Sequence, residues 1–186
     1  MQIQLYLSAE EQSHFAISPQ DIQSDNATPL SSNWKALWRC EHLISTDDQL
    51  EHLFLFTNAV TLYSLIMVDR GNDLASLLGS FQQHFKLALH EHGSPFKANN
   101  IEVNVQLLNG SPLPLIEHMS FLSDLAVEQL LANNADIEAT EERLNNIESL
   151  SLPISASDAM HQRLQPAKSI NTGTTIVPFI SQAAAR

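Results

Sequence analysis

Three groups of residues have types and spacings that could support chemistry, and the first is Cys40 with His42. A thiol beside an imidazole is a pair used in nucleophilic catalysis. On a strand these two side chains would share one face, but they would run parallel with their Cα atoms about 6.5 Å apart. Because Trp34, Ala36 and Trp38 continue the same face, we expect a core or a cleft wall there instead of a catalytic pair.

His90 and His92 form the second group, since two imidazoles at this spacing could be aimed at one metal ion. They stand where a predicted helix ends, and histidines are also favoured there by the helix dipole. His84 lies about 240° around the helix from His90, so it cannot join them. A specific site needs three or four convergent ligands. We therefore predict no metal site and no cofactor.

The third group is the acidic cluster Glu138, Glu141 and Glu142, which could imitate a metal site or a general acid. Its spacing instead favours the solvated face of a predicted helix. The sequence also lacks a phosphate-binding glycine loop, a Gly-x-Ser-x-Gly elbow and a His-Glu-x-x-His zinc motif. We therefore assign no catalytic residue from the sequence.

The overall charge bears on the kind of partner that the chain can have. Its 186 residues include 21 Asp and Glu against 9 Lys and Arg, which gives a formal net charge of −12. This field repels phosphates and anionic lipid, and the basic residues are scattered instead of clustered with aromatic residues. We therefore expect no direct nucleic-acid binding and no membrane binding.

Composition indicates a folded protein of a reducing compartment. Hydrophobic residues make up 44% of the chain and charged residues 16%, which is enough apolar material for a real core. Cys40 is the single cysteine, so no intrachain disulfide can form. The chain begins without a signal-peptide pattern, and no run reaches about 18 apolar residues. These features predict a cytoplasmic protein.

Apolar periodicity predicts an α+β fold. The predicted strands are 1–7, 34–43, 53–56, 60–68 and 101–107, and the predicted long helices are 73–92, 115–132 and 137–150. Ser8 and Glu11 match a capping box that begins a short helix, and Asn72 is the predicted N-cap of the first long helix. We expect a mainly antiparallel sheet of about five strands packed by three or more helices, with a meander between residues 34 and 68.

We expect a single α+β domain over residues 1–152, followed by a C-terminal extension over residues 153–186. The extension carries an apolar patch that is too hydrophobic for an idle linker and that we predict to bind a partner: Ile176, Val177, Phe179 and Ile180. Such a patch must dock, either on its own domain or on another chain.

Several motifs follow one another in the middle of the chain: Trp34-Lys-Ala-Leu-Trp-Arg39, Leu55-Phe-Thr-Asn-Ala-Val-Thr-Leu-Tyr-Ser64, the leucine-striped helix from Asn72, and Phe121-Leu-Ser-Asp-Leu-Ala126. With these motifs the region from about residue 30 to 132 resembles a family of small bacterial proteins known only as a domain of unknown function. The resemblance implies a compact bacterial α+β domain. It supplies no catalytic residues to carry over.

Two classes of function remain. The preferred hypothesis is a non-enzymatic protein-binding protein, such as an inhibitor, an antitoxin-like protein or an accessory subunit, whose acidic surface and apolar patch engage a protein partner; it leaves homo-oligomerisation open. The alternative is an enzyme or small-ligand-binding domain with a cleft beside the second strand, at Trp34, Trp38, Arg39, Cys40 and His42. A concave pocket that joins Arg39 or His42 to remote polar groups would favour the alternative.

Overall fold

The computed structural model describes residues 1–22, 34–43, 50, 52–71, 73–94, 103–110, 113–148 and 153–165. The strands are β1 (Gln2–Leu7), β2 (Leu37–His42), β3 (Leu53–Asn58), β4 (Ser64–Val68) and β5 (Asn104–Asn109). The helices are α1 (Ala9–His14), α2 (Leu74–Glu91), α3 (Leu113–Ala132), α4 (Ile137–Asn146) and α5 (Ala156–Leu164). The predicted α+β class is therefore confirmed. The predicted apolar patch of the C-terminal extension lies outside the described residues.

The five strands form one sheet in the order β4-β3-β2-β1-β5. The predicted meander is present, because β2, β3 and β4 pair antiparallel in sequence order. β1, however, pairs parallel with both β2 and β5. The sheet is thus mixed, and the prediction of a mainly antiparallel sheet was wrong. Side-chain alternation identifies a strand and its buried face, but it carries no information about the direction or identity of the neighbouring strand.

The turn between β3 and β4 is organised by the amide of Asn58, which is fully buried. Its oxygen accepts hydrogen bonds from the backbone of Val60 and from the backbone and hydroxyl of Thr61. Its nitrogen donates to the carbonyls of Trp34 and Leu37 at the start of β2. This turn explains why β3 continues to Asn58 and β4 begins only at Ser64, later than the predicted start at residue 60.

The outer edge of β4 is closed by two side chains of α4. The amide of Asn145 accepts a hydrogen bond from Ser64 N at 2.7 Å and donates one to Ser64 O at 2.8 Å. A carboxylate oxygen of Glu141, one turn earlier on the helix, accepts a hydrogen bond from Ile66 N. These side chains take the hydrogen-bonding places that a further strand would occupy, and they protect an edge that could otherwise pair with another chain.

Aromatic side chains attach α2 to one face of the sheet. The ring of Trp38 lies 5.1 Å from that of Phe81 and 5.0 Å from that of Phe85, and Phe56 stacks on Phe81 at 4.5 Å. All four residues are fully buried. They form the centre of the core, in the offset and edge-on arrangements that aromatic rings favour.

Helix ends follow their capping residues. Ser8 and Glu11 form the predicted capping box at the start of α1. The cap of α2 is Asp73, whose carboxylate accepts a hydrogen bond from Ala75 N. The predicted cap, Asn72, lies outside the described residues. Asn and Asp are equally good caps, so the sequence alone does not choose between adjacent candidates.

Helix α5 belongs to the same core, although it falls within the predicted extension. Its Met160 and Leu164 are buried against the residues that fill the centre of the fold. Among the helices of the described ranges, none has the length and apolar character needed to cross a membrane.

Candidate functional site

The candidate site lies at the carboxyl ends of the three parallel strands. β1 stands between β2 and β5 with Leu5 level with Trp38 on one side and with Leu107 on the other. The chain therefore leaves all three strands at the same edge of the sheet, but the neighbours of β1 lie on opposite sides of it. In open sheets with parallel strands, ligands bind at such places, because connections diverge there and leave a crevice.

A cavity of about 510 Å³ occupies this edge. It is lined by residues of the β1–α1 junction, β2, β5 with the residue that follows it, and α3: Ser8, Ala9, Arg39, Glu41, Asn109, Gly110, Met119 and Ser120. Its volume falls within the usual range of small-molecule sites. The cavity joins Arg39 to polar groups from three other parts of the chain.

Arg39 is held in a fixed position at the wall of the cavity. Its Nη1 donates a hydrogen bond of 2.6 Å to the carbonyl of Gly110, and its Nη2 lies 3.8 Å from a carboxylate oxygen of Glu11. Gly110 has a φ of +97°, a conformation that favours glycine and that turns its carbonyl toward β2 at the end of β5. The guanidinium therefore links the ends of β2 and β5.

Glu11 is a buried carboxylate that lies beside the Arg39 guanidinium. It accepts hydrogen bonds from the backbone N–H of Ser8 at 2.7 Å and from the Ser8 hydroxyl. It also accepts one from His42 N at 3.3 Å, which attaches α1 to the end of β2. The capping box predicted the contacts with Ser8 but not those with His42 and Arg39. The available signal was that Glu11 and the buried Phe15 share one face of α1 at a spacing of four residues.

Asn109 is oriented by α1. Its side-chain oxygen accepts a hydrogen bond of 2.9 Å from Gln12 Nε2, which also donates to the carbonyl of Leu7. The side chain at the end of β5 is thus tied to the helix that follows β1. Two walls of the cavity are fixed relative to each other by these bonds.

Glu41 is an ionisable group of the cavity wall whose environment changes its pKa. Burial raises the pKa of its carboxyl above the ordinary value, and although Arg39 opposes this effect, the negative charges of Glu11 and Asp124 add to it. A carboxyl of this kind loses its proton at a higher pH than an exposed glutamate does.

Of the five residues predicted to form a cleft, only Arg39 lines the cavity. Trp38 and Cys40 are fully buried under α2, on the opposite face of β2. Burial, together with the charge of Glu11, raises the pKa of the Cys40 thiol well above its ordinary value, so this thiol is a poor nucleophile. His42 stacks on Phe54 at 4.7 Å. Trp34 is half-buried beside the β3–β4 turn, and the Lys35 ammonium lies over its ring, 5.6 Å from the ring centroid.

The other cavity residues were not predicted from the sequence to form a site, and only Ser8 was singled out, as a helix cap. Glu41, Asn109 and Ser120 are common polar residues, at positions where the chain pattern predicted strand ends or a helix surface. They become a group only through the pairing of β1 with β2 and β5. No local motif carries that information.

The histidines make separate contacts. His14 Nε2 lies 3.2 Å from Asp69 Oδ2, and the His14 and His42 rings are 5.3 Å apart. His92 contacts Tyr63 edge-on, and its carbonyl accepts a hydrogen bond from His161 Nδ1 at 3.0 Å. Within the described ranges, no three His, Cys, Asp or Glu side chains are grouped so that they could hold a metal ion.

Comparison with known proteins gives no match, whether with family models, curated proteins or solved structures. The resemblance to a bacterial domain family therefore stays a prediction. The structure does give its central motif a local role. Asn58 organises the turn that the motif encodes, and the Thr57 and Ser64 hydroxyls hydrogen bond across the base of that turn at 3.1 Å.

Proposed function

We propose that this chain binds a small polar ligand in the cavity at the carboxyl ends of β1, β2 and β5. The observation that carries the proposal is the cavity itself, which joins Arg39 and Glu41 to polar groups of β5 and α3. This is the kind of pocket that would favour the ligand-binding hypothesis over that of a protein-binding protein. The position at the ends of parallel strands supports the same conclusion.

The lining supports a ligand of mixed character. Ala9 and Met119 offer apolar contacts, while a guanidinium, a carboxyl, an amide and hydroxyl groups offer directional hydrogen bonds. Arg39 and Asn109 are held by hydrogen bonds to the protein, so little side-chain conformational entropy would be lost when a ligand binds them. We propose binding without catalysis, because the Ser8 hydroxyl already serves the helix cap and Cys40 lies on the other face of β2.

The test is a fragment screen observed by NMR, in which backbone amide shifts locate each bound compound. Compounds that bind here should shift Ser8, Gly110 and Ser120 together, because all three line the cavity and come from different parts of the chain. Ser120→Trp should abolish the shifts by filling the cavity mouth. The matched control is Ala132→Trp, an exposed small residue near the end of α3 and away from the cavity. A broad screen with no compound at these three amides would contradict the proposal.

The hypothesis of a protein partner stays a prediction. It rests on the net charge of −12 and on the apolar patch of the extension, which lies outside the described residues. Its test is the removal of residues 170–186 that is described in the Discussion.

A further inference from the structure

The acidic and basic side chains near the cavity are unequal in number. Among the described residues, Arg39 is the one basic residue that lines it, and its charge is already opposed by Glu11 at 3.8 Å. Glu41 lies in the wall with no Lys, Arg or His of the described residues within ion-pair distance. Asp124 on α3 adds a third negative charge near Glu41. Among the described residues, acidic side chains at the cavity therefore outnumber basic ones.

Arg39 is already partly engaged by the protein. One of its nitrogens already donates to the carbonyl of Gly110, and the guanidinium sits between that carbonyl and Glu11. An anionic group in the cavity would be attracted by Arg39 but repelled by Glu41 in the wall and by Glu11 beside the arginine. At a low effective dielectric constant, that repulsion offsets the attraction.

We infer that the cavity takes a small organic cation, whose ammonium or guanidinium group pairs with the carboxylate of Glu41 while its polar body contacts Asn109, Ser8 and Ser120. The inference rests on the proposed function, since it names the class of ligand for the same cavity. Glu41 then receives a cation within ion-pair distance, in addition to the more distant charge of Arg39, and Arg39 also holds the walls of the site together.

Binding of a cation should be linked to release of a proton. Burial and the neighbouring negative charges make the empty site retain the Glu41 proton to a higher pH than an exposed glutamate would. The cation favours the carboxylate, so the carboxyl O–H bond breaks and the proton passes to the buffer. Affinity should therefore rise with pH until the Glu41 carboxyl of the empty site is ionised, and should then level off.

The probes are three four-carbon molecules that differ only in their end groups: 1,4-diaminobutane, 1,4-butanediol and butanedioate. NMR titration at 0.15 M salt should place the diamine at the amides of Ser8, Gly110 and Ser120, at least tenfold tighter than the diol. Butanedioate should not shift these amides. Calorimetry in two buffers of different ionisation enthalpy should give different apparent enthalpies for the diamine, which reports the released proton.

Glu41→Gln should weaken the diamine at least tenfold and make the two buffers agree. Glu128→Gln is the matched control, because it removes the same charge from an exposed position of α3. Equal weakening by the two substitutions would overturn the inference, since it would indicate general attraction to an acidic protein. Tighter binding of the diol or of butanedioate at these amides would also overturn it, yet would leave the cavity as a ligand site. If none of the three binds, the inference fails, and the fragment screen decides separately on the cavity.

Discussion

Replacing Glu141 by Gln should stabilise the protein at neutral and higher pH. The Glu141 carboxylate accepts a hydrogen bond from Ile66 N at the edge of β4, and its burial raises its pKa from 4.5 to about 7. The Ile66 hydrogen bond and His84 oppose that rise, whereas Glu138 and Glu91 contribute to it. The folded state thus holds the Glu141 proton more tightly than the unfolded state does.

The sign of the pH dependence follows from this difference. Because the folded pKa lies above the unfolded one, Glu141 is best tolerated when it is protonated, and its contribution to stability falls as the pH rises from 4.5 to about 7. The full difference corresponds to roughly 3 kcal/mol. Since part of the carboxyl reaches solvent, we expect a measured gain of about 1–2 kcal/mol for Glu141→Gln above pH 7.

Urea unfolding of the two proteins between pH 4.5 and pH 8 measures this effect. The glutamine retains an oxygen that can accept the Ile66 hydrogen bond, so the unfolding free energies should agree at the low end and diverge toward the high end. Glu142→Gln, on the exposed face of the same helix, should show no such divergence. A variant that is less stable than the parent at pH 8, or an equal trend in the control, would refute the reasoning.

Four further outcomes are expected. Asn58→Ala should lower the free energy of unfolding by about 3–5 kcal/mol, because it removes a fully buried amide with several hydrogen-bonded partners; a loss below about 1 kcal/mol in urea unfolding would contradict this. Glu11→Gln should lower it by about 1–3 kcal/mol through the loss of a charged acceptor, with the His42 amide shifted in NMR spectra, and an unchanged amide would count against the contact. Cys40 should react with iodoacetamide only at the rate of unfolding, whereas rapid labelling of the native protein would disprove its burial. Removal of residues 170–186 should lower the melting temperature if the apolar patch packs on its own domain, or abolish capture of a partner if it does not; a truncated chain unchanged in both assays would exclude both roles.

The elements of the fold were predictable wherever local physics determines them. Alternation predicted β1 to within one residue, and the Ser8–Glu11 capping box marked the start of α1 correctly. The end of β3 was not predictable in the same way. It depends on hydrogen bonds from Asn58 to Trp34 and Leu37, which are more than twenty residues away in the sequence. The parallel pairing of β1 is likewise a long-range property.

The cavity was less predictable than the fold. Arg39 was named from the sequence as part of a cleft, but its neighbours Trp38 and Cys40 were grouped with it, although alternate residues of a strand face opposite sides. Glu41 shares the face of Arg39 and could have been found by the same rule. Asn109 and Ser120 could not, because their proximity depends on which strands β1 pairs with.

The pairing of β1 with β5 also has a consequence for the order of folding. Gln2 and Gln106, which hydrogen bond across this ladder, are 104 positions apart, whereas Thr57 and Ser64 on neighbouring strands of the meander are 7 apart. Closing the longer loop loses more chain entropy, so we expect the meander to form early and β5 to join β1 late. The cavity lies where the ends of β1 and β5 meet. A bound ligand would therefore slow unfolding mainly by holding β5, the last strand to form, in place. The lifetime of the complex would then depend on the β1–β5 pairing more than on the core beneath α2.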